Sequence, residues 1–324
     1  MKLIVVSICK DEAATIGRVL DGVPEKIKGI TQINKCVIDD GSSDNTAEIA
    51  TAHGAEVISD GESKGLAFRF RQALGIALER NVDVMVNIDG DMQFEPGDIS
   101  KLVAPIEQGR ADFVAADRFS DKVTGNYRRP AEMPLAKYLG NRLGAKVVSA
   151  LSQHEFHDVT SGFRAYGREA MFALNTAGEH TYTQESFQVL AMKRMRITSV
   201  PVVVSYHKDR KSRVVKSILQ YTAVSAMNIL RSYRDFAPLR FFGWLGTIPF
   251  VLSVVALVIF FAHYIVRHEF SPYKFLGFAG VYLLTMAIVF WALGLVADML
   301  SRVLSNQEKI LEDVKRMKYS DKDK

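Results

Sequence analysis

Through the N-terminal two thirds of the chain, short apolar runs alternate with stretches of helical spacing. Residues 3–8, 36–38, 56–58, 82–88, 113–116 and 197–204 are runs rich in Val, Ile and Phe. Continuous apolar runs of this length are expected of strands buried on both faces of a parallel sheet. Between them, Ile16, Val19 and Leu20 fall on one helical face, and a second helix follows Asp39-Asp40-Gly41-Ser42-Ser43-Asp44. A third covers 65–80, and Leu139, Leu143, Val147 and Leu151 recur every four residues in a helix over 135–151. This order predicts an α/β fold, a mostly parallel Rossmann-like sheet flanked by helices on both faces. The loop 120–134, with Gly125, Arg128, Arg129, Pro130 and Pro134, is long for a compact domain.

The pattern changes after residue 214. Between Val215 and Tyr233 the apolar positions keep helical spacing, with Lys216, Gln220, Asn228, Arg231 and Arg234 on the other side. A core-facing helix would show the same stripe, but its place before a span suits an interfacial helix over 215–240. Residues 241–266 and 275–297 contain no Asp, Glu, Lys or Arg. Each exceeds the ~20 apolar residues that cross a ~30 Å bilayer core. A transmembrane hairpin over 241–304, with spans at about 241–266 and 275–299, and a tail over 305–324 follow from this. Residues 1–214 form the globular domain.

Charge orients the hairpin. Arg231, Arg234 and Arg240 precede it, and Arg302, Lys309, Lys315, Arg316 and Lys318 follow it, whereas the connection holds Arg267 and Lys274. Basic flanks stay in the cytoplasm, which predicts a multi-pass cell-membrane protein with both termini and the globular domain cytoplasmic. The net charge of +5 comes partly from these flanks and favours the lipid bilayer over nucleic acid as partner. Cys9 and Cys36 fall in predicted buried strands and read as reduced core residues. Residues 319–324, charged and without apolar anchors, read as disordered.

Candidate chemistry concentrates in VDVMVNIDGDMQ, residues 82–93, where an apolar run ends in Asp89 and Asp91. Ligands of open α/β sheets sit at the carboxyl ends of strands. Two carboxylates this close repel unless a cation lies between them or one is protonated. Mg²⁺ takes oxygen ligands and often keeps a substrate phosphate in its shell. A metal-bound diphosphate fits such a pair, and so does an Asx-turn with solvated aspartates.

Taken together, these residues resemble the family 2 glycosyltransferases of GT-A fold, of the polyprenyl-phosphate sugar transferase type, over roughly residues 3–215. The resemblance implies that Asp89, Asp91 and Gln93 bind Mg²⁺ or Mn²⁺. It places the nucleotide of a UDP- or GDP-linked sugar at Glu12, Asp40, Lys64, Gly65 and Asp89, with Asp40 of IDDGSSDNT on the base. Arg118 aligns with an arginine near the diphosphate. Asp158, in DVTSGFR, and Glu185, in TQE, line the sugar and acceptor side, with a helix cap or an ion pair to Arg164 or Arg168 as the alternative for each. The catalytic set is thus Asp89, Asp91, Arg118, Asp158 and Glu185. The acceptor phosphate falls to Arg128, Arg210, Ser212 and Arg213. The family's Arg-x-x-Gly-x-Ser-Lys here keeps Ser212 and a terminal cation, and a generic membrane-contacting basic patch is the competing reading.

The implied reaction is inverting transfer of a sugar to an undecaprenyl or dolichyl monophosphate. A homo-oligomer is compatible with it. A polysaccharide synthase with a sugar hydroxyl acceptor would need a general base, Asp158 or Glu185. Its usual Gln-x-x-Arg-Trp is absent, since Trp244 and Trp291 lie in the spans. A catalytically inactive membrane-anchored nucleotide-sugar-binding protein is the third reading, and it sits poorly with the retention of both aspartates.

Overall fold

The computed structural model describes residues 1–120, 129–130, 133, 135–152, 155–175, 182–205, 230–231, 233–234 and 237–320. Two compact units emerge, Met1–Thr222 with Ile310–Lys324, and Ala223–Lys309.

The first unit is built on a seven-stranded sheet. Strands β1 (Lys2–Cys9), β2 (Gln32–Asp39), β3 (Glu56–Ser59), β4 (Val84–Asn87), β5 (Phe113–Asp117), β6 (Arg164–Gly167) and β7 (Ile197–Pro201) lie in the order β3-β2-β1-β4-β6-β5-β7. All neighbours pair in parallel except β6, which runs antiparallel between β4 and β5. Helices α1 (Ile16–Asp21), α2 (Thr46–Ala52), α3 (Leu66–Glu79), α4 (Ile99–Glu107), α5 (Leu135–Ser152), α6 (Arg168–Ala173) and α7 (Thr183–Met192) cover the sheet.

Alternation along each strand divides the core. Ile4, Val6 and Met85 face one cluster with Phe70, Leu74, Tyr166 and Phe187, while Leu3, Val5, Val84 and Val86 face another with Leu102, Val103 and Val114. Cys9 and Cys36 are free and buried, as reduced core residues should be. Strand β6 was not among the expected runs. Its four residues, RAYG, carry no apolar run, and only their burial between two neighbours makes them a strand.

The last turns of the chain belong to this unit. Residues 319–324 read as disordered, yet Tyr319 is helical and joins the main core cluster. The segment from Ile310 packs on α6 and α7. Lys193 meets Glu312 at 3.0 Å, Arg316 meets Glu169 at 2.7 Å, and Lys315 Nζ donates to the Leu174 carbonyl at 2.6 Å. A charged segment thus finds its anchors in partners remote in sequence.

The second unit holds α8 (Pro238–Arg267) and α9 (Lys274–Ser320) as far as Lys309, and both helices are long and apolar enough to cross a membrane. They pack through small residues, as helices in lipid do. Ser253 Oγ donates to the Gly280 carbonyl at 2.7 Å, and a Cβ on Gly246 would stand 2.6 Å from Trp291 Nε1. Residues 206–229, which hold most of the expected interfacial helix, lie outside the described residues.

Candidate active site

Because β1, β2, β4 and β5 are parallel, their carboxyl ends open on one edge of the sheet and present Cys9–Glu12, Asp39–Asp40, Asp89–Asp91 and Asp117–Arg118 together. Antiparallel β6 starts at that same edge and adds the stretch from Asp158 to Arg164.

The β2 end is a latch. Asp39 accepts from Ser42 and, at 2.8 Å, from Ser59 Oγ. Asp40 accepts from the Lys64 amide at 2.7 Å, the Gly65 amide at 3.1 Å and Ser63 Oγ at 2.9 Å. Gly41, at φ 71, lets the loop come this close, since a Cβ there would stand 2.9 Å from the backbone at Glu62 and Ser63. The amides of Lys64 and Gly65, two residues expected on the nucleotide side, therefore serve Asp40 first. Burial pushes the Asp40 carboxyl up, but the bonds from Arg69, Lys64, Ser63 and Gly65 outweigh it and hold it below the usual range.

At the β4 end, Asp91 accepts from the Gln93 amide at 3.1 Å and from Gln93 Nε2 at 2.7 Å. Met92, at φ 55, turns the chain so that Gln93 folds back. Asp89 differs. Burial and then the charge of Asp91 push its carboxyl up to about 6, against the pull of Arg118 and Arg164. A carboxylate pair under this repulsion suits a divalent cation. The described residues contain no group of three or more His, Cys, Asp or Glu fit to hold a metal alone. Two carboxylates completed by diphosphate oxygens match the way Mg²⁺ is usually bound.

Arg118 and Asp158 are brought together. Arg118 Nε donates to Asp158 Oδ2 at 2.6 Å, and Nη2 donates to Oδ1 at 2.9 Å and to Thr160 Oγ1 at 2.6 Å. Asp158 thus does form an ion pair, but with Arg118 and not with the Arg164 or Arg168 of the alternative reading. Burial raises the Asp158 carboxyl, but Arg118 overrides it and holds the group below the ordinary range. Glu185 sits in the first turn of α7. Glu12 closes the turn after β1, its amide donating to Thr46 Oγ1 at 2.8 Å. Arg128, Arg210, Ser212 and Arg213 lie outside the described residues.

Residues 4–172 match glycosyl transferase family 2. The chain belongs to that family. This glycosyltransferase is 26% identical over 288 residues to glycosyltransferase AglJ of Haloferax volcanii, covering 87% of this chain and 89% of the relative. It is 30% identical to a dolichyl-phosphate hexose transferase of the same organism, covering 59% and 78%. Its fold is similar to that of glucosyl-3-phosphoglycerate synthase from Mycobacterium tuberculosis in complex with Mn²⁺ and UDP. That likeness has a TM-score of 0.54 and 20% identity over 70% of this chain and 79% of the other. The expected GT-A sheet and the likeness to polyprenyl-phosphate sugar transferases are both borne out.

The glycosyltransferase also carries site residues that sequence patterning missed. Buried Asn87 donates Nδ2 to the Gly162 carbonyl at 3.0 Å and to the Tyr182 hydroxyl at 2.9 Å. An Asn inside an apolar run was the available signal, since a buried amide needs partners.

Proposed function

We propose that this glycosyltransferase moves a sugar from a nucleotide diphosphate sugar to a polyprenyl monophosphate at the cytoplasmic membrane surface, with inversion and with Mg²⁺ or Mn²⁺. The observation that carries it is the Asp89–Asp91 pair, two carboxylates at one strand end where burial and their repulsion outweigh the pull of Arg118 and Arg164 on Asp89. The likeness to a dolichyl-phosphate hexose transferase and two helices long enough to cross a bilayer support the lipid acceptor.

Residues 1–214 hold the donor. Asp40, with its loop 63–65, and Glu12 contact the nucleoside. Asp89, Asp91 and Gln93 hold the metal, which supplies Lewis-acid neutralisation of the leaving diphosphate. An acceptor phosphate oxygen forms the new bond to the anomeric carbon as the bond to the diphosphate oxygen breaks, and the electron pair leaves with the diphosphate. No general base is required, because a phosphate monoester has its second pKa near ~6 and is largely dianionic at neutral pH. Asp158 fits this reading: tied to Arg118 and held acidic, it is a poor base. Arg118, itself fixed by Asp158, stands toward the diphosphate, and Arg128, Arg210, Ser212 and Arg213 receive the acceptor phosphate. The basic flanks of the hairpin keep the catalytic domain and both termini cytoplasmic.

The test offers polyprenyl phosphate, polyprenol and an oligosaccharide side by side with labelled nucleotide sugars. Label is expected in the lipid phosphate, and transfer should fall in Arg210→Ala and Arg213→Ala with donor binding unchanged. Label in the oligosaccharide alone would establish a polysaccharide synthase instead.

A further inference from the structure

Arg164 is completely buried, and each arm of its guanidinium donates to a main-chain carbonyl. Nε reaches Ser161 at 2.6 Å, Nη2 reaches Val159 at 3.1 Å and Nη1 reaches Thr183 at 2.7 Å. Its guanidinium lies 4.8 Å from the centroid of the Phe187 ring. A buried cation is expensive to desolvate, and carbonyl dipoles and a ring face recover part of that. In return, three charge-assisted bonds from one rigid fork fix a stretch of main chain.

That stretch is the approach to β6. Because β6 runs antiparallel to β4, with Arg164 opposite Asn87, residues 159–163 cross the end of β4 where Asp89 emerges. Gly162 comes close to Asp89. A Cβ on it would stand 2.9 Å from both carboxylate oxygens of Asp89. Its carbonyl is held in turn by Asn87 Nδ2 at 3.0 Å. The backbone of Gly162 lies outside the left-handed region, so an alanine is conformationally allowed there and only the space before Asp89 is lacking.

We propose that Gly162, anchored by Arg164, is a positioning residue whose bare Cα fixes the orientation of the Asp89 carboxylate. The inference rests on Asp89 being a metal and donor ligand. The cheapest response to a methyl at 162 is rotation of Asp89, which spares the fold and spoils the site. Arg164 acts one step further back, by holding the carbonyls on either side of Thr160 and the start of α7.

The test uses the full chain in detergent, with Mn²⁺ titrated in the presence of UDP and, separately, GDP, and bound Mn²⁺ read by electron paramagnetic resonance. Gly162→Ala should keep its melting midpoint within about 3 °C while Mn²⁺–nucleotide affinity falls about 10- to 100-fold. Asp89→Ala should lose that affinity on its own, and adding Gly162→Ala to it should cost nothing more, since the methyl then has no carboxylate to displace. Arg164→Lys, which keeps the charge and loses the fork, should weaken Mn²⁺ binding and be non-additive with Gly162→Ala. Gly162→Ala with wild-type affinity, or losses that add to those of Asp89→Ala, would overturn the positioning role and leave the functional reading standing. Unchanged Mn²⁺ binding in Asp89→Ala would overturn both.

Discussion

Arg69 donates Nε to Asp40 Oδ1 at 2.9 Å with its own side chain wholly withdrawn from solvent. The same guanidinium also binds Asp60 and the Glu62 carbonyl. Asp40 is therefore both the residue proposed to contact the base and the keystone of the loop 60–65. On that proposal, loop order and donor binding are linked through one carboxylate.

Replacing Asp40 by Ala should accordingly move two observables. The donor Michaelis constant rises more than turnover falls, because nucleoside contacts persist from ground to transition state. Stability drops by roughly 3 kcal/mol, the low end for a broken buried pair, since Asp60 remains on Arg69. Steady-state kinetics and urea unfolding of one preparation check both, and an unchanged donor affinity would confine Asp40 to the turn.

The metal prediction separates the two strand-end aspartates. Asp91→Asn abolishes transfer and leaves the melting curve in place, because a carboxylate beyond the strand end contributes little packing. Asp89→Asn loses somewhat less if its main contacts are to sugar and ribose. Full turnover of the unaltered protein in excess EDTA would remove the metal from the scheme.

Asp158 offers a pH signature. Its carboxyl is held below the ordinary range in the folded protein, so its stabilisation is fully present above the unfolded value of ~3.9 and is lost as pH falls through the folded value. Asp158→Ala should cost about 3–5 kcal/mol at pH 7, the charge of Arg118 being left buried. It should also flatten the loss of stability below about pH 4. Thermal unfolding at pH 7 and in that acid range measures the difference.

Tyr319→Ala tests the docked terminus. Removing an aromatic ring from the main core cluster should destabilise the catalytic unit by roughly 3 kcal/mol. The response of the hairpin unit should be small. Near-ultraviolet circular dichroism against temperature, with and without the substitution, reports it.

Periodicity made much of this molecule legible, and the reasons for the failures are local. The run at 82–88 announced β4 because a central parallel strand must be apolar on both faces, and Asp89 and Asp91 stood out against it. Arg164 did not stand out. A cation in a short polar stretch looks solvated until β6 is seen to lie between β4 and β5. The partner of Asp158 was equally hidden, because Arg118 reaches it only through the adjacency of the β5 end and the approach to β6. Gly162 carried no signal at all, since its role is the absence of an atom in front of another residue. Tyr319 was misjudged because its packing partners lie far away in sequence, around α3 and the core beneath it.

The position of Tyr319 also sets an order of events during synthesis. Its ring completes a core whose other members precede residue 191, and the apolar hairpin comes between them in the chain. At roughly 5–20 residues per second, translating the interval from Leu190 to Tyr319 takes roughly 6–26 s. A sheet that folds during this time has one slot of its core still open. The glycosyltransferase domain therefore reaches its final packing only after both long helices have left the ribosome, so a full-strength catalytic unit arises already attached to its anchor.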